Sequence, residues 1–115
     1  MLARDTAIYR DTYTLVKTLL TYTRKFNNDL KATVARRIED VALELGDLIV
    51  EANFDVKHRA EILGVDFIIR YEKLQFLLNL AADMRQISER QHAHLSRIMD
   101  KIGRQATGWR KSATK

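Results

Sequence analysis

Apolar residues recur at intervals of three and four along most of the chain, the spacing expected when one side of an α-helix packs into a core. The sequence contains no proline and only four glycines, so few positions interrupt this pattern. We therefore predict four helices. The first runs from an Asp5 cap to about Lys25, and the second from a turn and cap at Asn27, Asn28 and Asp29 to about Asn53. The third runs from an Asp55 cap to about Arg85, and the fourth begins at a capping box of Ser88 and Gln91.

Each predicted helix has one apolar stripe that can face a shared core. The stripes comprise Ile8, Thr12, Leu15, Leu19, Tyr22 and Phe26 in the first helix, Val34, Ile38, Val41, Leu45, Leu48 and Ala52 in the second, Leu63, Phe67, Tyr71, Leu74, Leu78 and Ala81 in the third, and Gln91, Leu95, Ile98 and Ile102 in the fourth. Short connections force consecutive helices to run antiparallel. The predicted fold class is therefore all-α, an antiparallel up-down-up-down four-helix bundle.

The length of 115 residues suits one domain. Gly103 and Gly108 are expected to end regular structure, which divides the chain into a bundle over residues 1–105 and a basic tail over residues 106–115. The net charge is +5, and residues 101–115 hold five basic residues and no acid, so residues 1–100 are balanced at 15 of each sign. This basic end favours a polyanionic partner, although solubility alone can also explain it.

A second apolar stripe lies opposite the core stripe on the second and third helices. It comprises Leu43, Val50, Phe54, Ile62, Val65, Ile69, Phe76 and Leu80. Scattered surface hydrophobic residues are common, but eight aligned residues on two adjacent helices favour a partner surface. We expect this stripe to be an oligomer interface, through which identical chains close into a ring or a dimer.

Basic residues repeat every seven positions on the outward sides of the first and fourth helices. These residues are Arg10, Lys17 and Arg24 on the first helix and Arg90, Arg97 and Arg104 on the fourth. The two helices are neighbours in the predicted bundle, so the rows would form one basic face that Arg110 and Lys111 extend. An ordinary solvated surface is one interpretation of such a face. The other is a site that binds phosphate groups without reading bases.

The sequence offers no recognisable catalytic or metal-binding constellation. Asp55-x-x-His58 and Glu89-x-x-His92 have the spacing of metal ligands, but they begin antiparallel helices and so lie at opposite ends of the bundle. There is no glycine-rich phosphate loop, no nucleophile with an adjacent base and no cysteine. We expect no catalytic residue, no metal and no cofactor.

Residues 74–82 form the longest uncharged run, which is far shorter than a membrane span. Charged residues also interrupt the first apolar positions of the chain, so no secretion signal is predicted. We therefore expect a soluble cytoplasmic protein that does not bind membranes.

Trp109 is the only tryptophan, and it stands within Gly108-Trp109-Arg110-Lys111. A large ring in this place can anchor the basic end of the chain to the bundle. Stacking on a nucleic-acid base or a contact with a partner is the alternative.

Several short motifs resemble the accessory variability determinant (Avd) proteins of diversity-generating retroelements. They are Ile8-Tyr9 with Tyr13, Leu15 and Phe26 near the start, the run from Leu77 to Ser88 with Gln91, and the ending Ile102-Gly103-Arg104 with Gly108-Trp109. The ending is the most specific of the three, and together the motifs extend over nearly the whole chain.

The resemblance implies a four-helix bundle that assembles as a homopentamer and acts without catalysis. Its implied partners are the reverse transcriptase of the retroelement and the template RNA, or a cDNA/RNA hybrid, in the synthesis of adenine-mutagenised cDNA. The wider group of four-helix proteins encoded in ribosomal-RNA intervening sequences is the alternative, and it would imply a structural or RNA-associated role. A metal-dependent enzyme is a third class that elemental analysis would test.

We predict that far-UV circular dichroism will show an almost wholly helical protein whose signal does not change when a chelator is added. The reason is that every apolar pattern is helical and no set of metal ligands converges. A substantial strand signal, or unfolding on chelation, would contradict this prediction.

Overall fold

Four long helices account for most of residues 2–113, which are the residues that the computed structural model describes. Helix α1 is Ala7–Thr23 and follows a short 3₁₀ turn at Ala3–Asp5. Helix α2 covers residues 28–54 and α3 covers residues 59–83, and each contains one π-helical turn. The segments of α2 are Asn28–Leu30, the π turn Lys31–Ala35 and Arg36–Phe54. The segments of α3 are Arg59–Glu61, the π turn Ile62–Asp66 and Phe67–Asp83. Helix α4 is Glu89–Ala113.

The helices pack in the order in which they occur along the chain. Helix α1 contacts α2 and α4, and α3 also contacts α2 and α4. The connections are short, at residues 24–27, 55–58 and 84–88, so neighbouring helices run antiparallel. The predicted all-α, up-down-up-down bundle is confirmed, and the described part of the chain contains no strand.

The predicted stripes supply most of the core. Their buried members include Leu15, Leu19, Ile38, Leu45, Leu63, Leu74, Leu95 and Ile102, all at most 1 % exposed. Each π turn adds one residue to a helical turn and so shifts which positions face inward. In α2 this shift leaves Val34 only partly buried while Ala35 enters the core. In α3 it buries both Ile62 and Leu63.

The predicted Asp5 cap at the start of α1 is wrong. Thr6, not Asp5, caps α1, because the Thr6 Oγ1 atom accepts a hydrogen bond from the Tyr9 backbone N–H at 3.2 Å. Asp5 lies in the preceding 3₁₀ turn. Helix α2 begins at Asn28 with Asn27 at its N-cap position, within the predicted turn and cap, although the Asn27 side chain makes no capping hydrogen bond.

The connection between α2 and α3 also differs from the prediction. Asp55 ends α2, and its side chain accepts a hydrogen bond from the His58 backbone N–H at 3.2 Å, so the four residues form a turn before α3 begins at Arg59. Helix α3 ends at Asp83 because Arg85 takes a left-handed conformation with φ of 60°. The capping box of α4 is confirmed by hydrogen bonds in both directions between Ser88 and Gln91, at 2.9 and 3.0 Å.

The prediction that Gly103 and Gly108 end regular structure is wrong. Helix α4 passes through both glycines to Ala113. Ala106 is buried and Trp109 packs against the core, so tertiary contacts hold this stretch in a helix despite the low helix propensity of glycine. Residues 106–113 are thus the last turns of α4 and not an irregular tail, while a separate function for this basic end stays a prediction.

Gly103 allows α3 and α4 to approach each other closely. A Cβ atom at this position would lie 2.9 Å from the Tyr71 hydroxyl oxygen, which is closer than such atoms pack. That hydroxyl donates a hydrogen bond of 2.8 Å to the Met99 carbonyl oxygen of α4. Burial raises the pKa of Tyr71 above its ordinary value of 10.0, with smaller contributions from the negative charges of Asp100 and Glu72.

Replacing each of the two glycines of α4 by alanine should change the free energy of unfolding in opposite directions. Gly103→Ala should lower the free energy of unfolding by about 1 kcal/mol, because the new methyl group displaces the Tyr71 hydroxyl from its acceptor and this loss outweighs the gain in helix propensity. Gly108→Ala is the matched control, since nothing lies within 4 Å of its Cβ position, and it should raise the free energy by about 0.5 to 1 kcal/mol. Urea unfolding of both variants measures the difference, and equal effects would show that Tyr71 does not require a glycine at 103.

Candidate nucleic-acid and partner interface

The two predicted rows of basic residues lie on neighbouring helices. Helices α1 and α4 pack against each other in antiparallel directions, and all six residues are exposed, namely Arg10, Lys17, Arg24, Arg90, Arg97 and Arg104. None of these six forms a salt bridge with another residue in the range 2–113. Their charges are therefore available to a ligand. We call these six residues the basic face.

Local contacts hold part of the basic face without neutralising it. One Nη atom of Arg10 donates to the Asp5 backbone carbonyl at 3.1 Å, and the Lys17 ammonium lies 5.6 Å from the centre of the Tyr13 ring. Near this end of the face, Gln105 of α4 donates to the Asp11 carboxylate of α1 at 2.6 Å. This bond ties the two basic helices together and occupies one oxygen of the single acid in α1.

Arg110 and Lys111, the other two predicted binding residues, lie near the end of α4, beyond the row on that helix. Arg110 is partly buried, and its Cδ atom lies 3.2 Å from the position that a Cβ atom on Gly64 would take. Its stem therefore packs against the start of α3 and not beside the row on α1. Lys111 is exposed on the last turns of α4.

Most of the predicted outward apolar stripe is exposed on α2 and α3. Leu43, Val50, Phe54, Val65, Ile69 and Phe76 are all large exposed hydrophobic residues, and Leu80 is partly buried. The assignment of Ile62 to this stripe is wrong, since it is only 8 % exposed and belongs to the core. Tyr13, which belongs to neither predicted surface, is 56 % exposed beside Leu43 and Val50 in a groove between α1 and α2.

Each histidine has at most local polar contacts in the described part of the chain. Residues 2–113 contain no group of three or more histidine, cysteine, aspartate or glutamate residues placed to hold a metal ion. The His58 ring lies 3.0 Å from the Asp55 carboxylate in an exposed turn, and this hydrogen bond lowers the pKa of Asp55 from its ordinary value of 3.8. The His92 ring lies 2.9 Å from the Asn79 side-chain oxygen, between α3 and α4.

A comparison with protein-family models identifies the family of this chain. A family model described as bAvd-like matches residues 6–113. The chain belongs to the bAvd-like family. This match confirms the resemblance to Avd proteins, a family of accessory proteins that are not catalytic. No curated protein and no solved structure matches the chain significantly.

Among the described helices of this bAvd-like chain, none is long and apolar enough to cross a membrane.

Trp109 of this bAvd-like chain anchors the end of α4, as the first interpretation of its role expects. The ring packs against the core, and the Arg59 guanidinium stacks over it at 5.0 Å from the ring centre. Arg59 also donates from Nε to the Ala52 carbonyl at 2.7 Å and from an Nη atom to the Asn53 carbonyl at 3.0 Å. These are among the last carbonyl groups of α2, so one arginine caps α2 and holds the ring of α4.

Sequence reasoning did not find Arg59. It is one of twenty basic residues, and its partners are two backbone carbonyl groups and a ring about fifty residues away. Only the packing of the helix ends brings these groups together. The sole local signal is its place a few residues after the end of α2, where a cation complements the helix dipole.

Replacing Arg59 is expected to destabilise the bundle measurably. Arg59→Ala removes two hydrogen bonds from a charged donor and the ring contact, so the free energy of unfolding should fall by about 1 to 2 kcal/mol. Arg59→Lys keeps the charge but not the forked donor, and it should lose roughly half as much. Urea unfolding can be followed by the fluorescence of Trp109, and an unchanged midpoint for Arg59→Ala would contradict this role.

Proposed function

We propose that this bAvd-like protein is a non-catalytic accessory subunit of a diversity-generating retroelement that binds its template RNA and its reverse transcriptase. Family membership supports the accessory role in a retroelement. The observation that carries the binding proposal is the basic face, with six exposed cations in two rows on adjacent helices. Such a surface can hold a nucleic acid in place while another subunit performs the chemistry.

The charge balance of α4 supports RNA as the ligand of the basic face. Helix α4 carries Arg90, Arg97, Lys101, Arg104, Arg110 and Lys111 against only Glu89 and Asp100. Successive members of a row lie seven residues apart, or about 10.5 Å along the helix axis. The major groove of an RNA helix is too deep and narrow for such cations to reach base edges, so they would contact phosphates, and binding should depend on RNA shape and charge more than on sequence.

The same face suits the second proposed partner. A reverse transcriptase that holds its template presents phosphates of the bound RNA, and its acidic surface residues would also be attracted to the basic face. An accessory subunit that touches both the enzyme and its template would hold them together. Each additional contact then raises the effective concentration of the others.

We further propose that the protein works as a homo-oligomer. The exposed apolar residues of α2 and α3 form a surface that a monomer would leave in contact with water, and burying it between identical chains is favourable. Family resemblance suggests a pentamer. Assembly would repeat the basic face around the symmetry axis and increase its avidity for RNA.

Charge reversal on α4 tests the binding proposal. The triple variant Arg90→Glu, Arg97→Glu and Arg104→Glu should bind structured RNA at least about tenfold more weakly than the unmodified protein. The plot of log affinity against log salt should also flatten by about 0.7 to 0.9 for each phosphate that the variant no longer neutralises. Fluorescence anisotropy over a salt series measures both quantities.

A matched control variant makes the same change in net charge at positions outside the basic face. Lys31→Glu, Lys57→Glu and Arg85→Glu alter three exposed cations that lie outside α1 and α4, and this triple variant should retain most of the affinity and the salt slope. If the two triple variants behave alike, the basic face is only solvated surface. Copurification with the reverse transcriptase encoded beside the gene tests the second partner.

A further inference from the structure

An exposed tyrosine lies between two cations of the basic face. Tyr13 of α1 is 56 % exposed, and Arg10 and Lys17 stand three residues before it and four residues after it, so the three side chains share one side of the helix. The Lys17 ammonium lies 5.6 Å from the centre of the Tyr13 ring. An aromatic ring flanked by cations can contact a nucleic-acid base while the cations hold the neighbouring phosphates.

Tyr9 fixes the position of the Tyr13 ring. The two rings are stacked with their centres 6.3 Å apart and their planes 18° apart, and Tyr9 itself is partly buried against the core. A ring that is already ordered loses little conformational entropy when a ligand packs against it. Lys17 does not block this contact, because an exposed contact between a cation and a ring is weak and the ammonium can turn to a phosphate instead.

Beside Tyr13 is the groove between α1 and α2, which can admit a flat ring from outside. Its volume is about 250 Å³, and Leu43 and Val50 form part of its wall on α2. Gly46 lies between these two residues along the helix, and no atom lies within 4 Å of the position that its Cβ would occupy. The glycine therefore leaves the middle of this apolar groove open.

Two polar groups in the groove suit the edge of a base. Thr12 lines the groove and is only 2 % exposed, yet its Oγ1 atom has no hydrogen-bond partner within residues 2–113. Buried polar atoms without a partner are rare because they cost free energy, and a base edge in the groove would supply the missing hydrogen bond. Asp47 of α2 also lines the groove. Its carboxylate would repel a phosphate, which favours a strand whose backbone lies on the α1 side, next to Arg10 and Lys17.

We propose that an unpaired base of the RNA inserts into the groove between α1 and α2 and packs against the Tyr13 ring, while the phosphates next to it lie on Arg10 and Lys17. This inference rests on the RNA binding proposed above and names the class of RNA, one with a loop, a bulge or a single-stranded end. A base inside a duplex is paired and stacked, so it cannot enter the groove. Leu43 and Val50 then belong to this site, and the exposed apolar residues of α3 are left for the proposed assembly.

Two RNAs with the same number of phosphates measure the effect. One is a hairpin with a loop of unpaired nucleotides, and the other is a fully paired duplex. The unmodified protein should bind the hairpin at least about fivefold more tightly, which is the lower end of the contribution of one base stacked on an aromatic ring. Tyr13→Ala should lose this preference and leave the affinity for the duplex unchanged. Tyr13→Phe is the matched control, because it keeps the ring and should keep the preference.

A second variant blocks the groove without changing the ring. Gly46→Leu places a side chain in the middle of the groove, so it should also remove the preference for the hairpin while the duplex binds as before. Gly46→Ala is its control, because a methyl group leaves most of the groove open. The fluorescent base aminopurine, placed in the loop, reports the contact directly, since stacking on an aromatic ring quenches it. Quenching should accompany binding to the unmodified protein and to both controls, but not binding to Tyr13→Ala or Gly46→Leu.

The outcomes separate this inference from the proposed function. Equal affinity for hairpin and duplex, or a preference that survives both Tyr13→Ala and Gly46→Leu, overturns the groove as a site for a base while RNA binding by the basic face stands. Binding of neither RNA by the unmodified protein overturns the proposed function and this inference with it. Light scattering tests the other occupant: if either variant dissociates an oligomer that the unmodified protein forms, the groove is a contact between copies and not a site for RNA. Circular dichroism checks that all variants are folded.

Discussion

Each of the four helices must bury one side in a core that all of them share, and the rest of the molecule follows from this constraint. The buried layer contains almost only leucine, isoleucine, alanine and phenylalanine from all four helices. A bundle of this size has one inward side for each helix, so every other surface is left to solvent or to partners. On α1 and α4 the remaining surface is polar and basic, and on α2 and α3 it is rich in exposed apolar residues.

Contacts with α3 and with the turn after α2 keep α4 helical for longer than its composition indicates. The stacked pair of Arg59 and Trp109 joins the end of α4 to the turn between α2 and α3. The Tyr71 hydroxyl bonds to α4 at the level where Gly103 lets the two helices approach. These contacts hold Arg104 on a regular helix, so the row that it ends keeps its seven-residue repeat. A disordered C-terminal segment would not present charge at fixed positions.

The separation of the two surfaces bears on the proposed function. Because the basic residues lie on α1 and α4 while most of the exposed apolar residues lie on α2 and α3, a nucleic acid and a second copy of the chain need not compete for all of the same surface. Assembly through the apolar surfaces would multiply the basic face. Weak phosphate contacts, each screened by salt, would then add up over several copies. A member of a non-catalytic accessory family would in this way be able to hold a template for an enzyme, as the proposed function requires.

The sequence alone determined the number of helices, their order and most of the core, because apolar spacing and short connections act locally along the chain. It also located the basic rows, since a seven-residue repeat stays on one side of any helix. Tertiary structure alone decided the register around the π turns, which moved Ile62 from the expected outer stripe into the core. It also decided the continuation of α4 through Gly103 and Gly108, and the meeting of Arg59 with Trp109. In each of these cases the deciding energy comes from contacts between residues distant in sequence, and local propensity carries no information about such contacts.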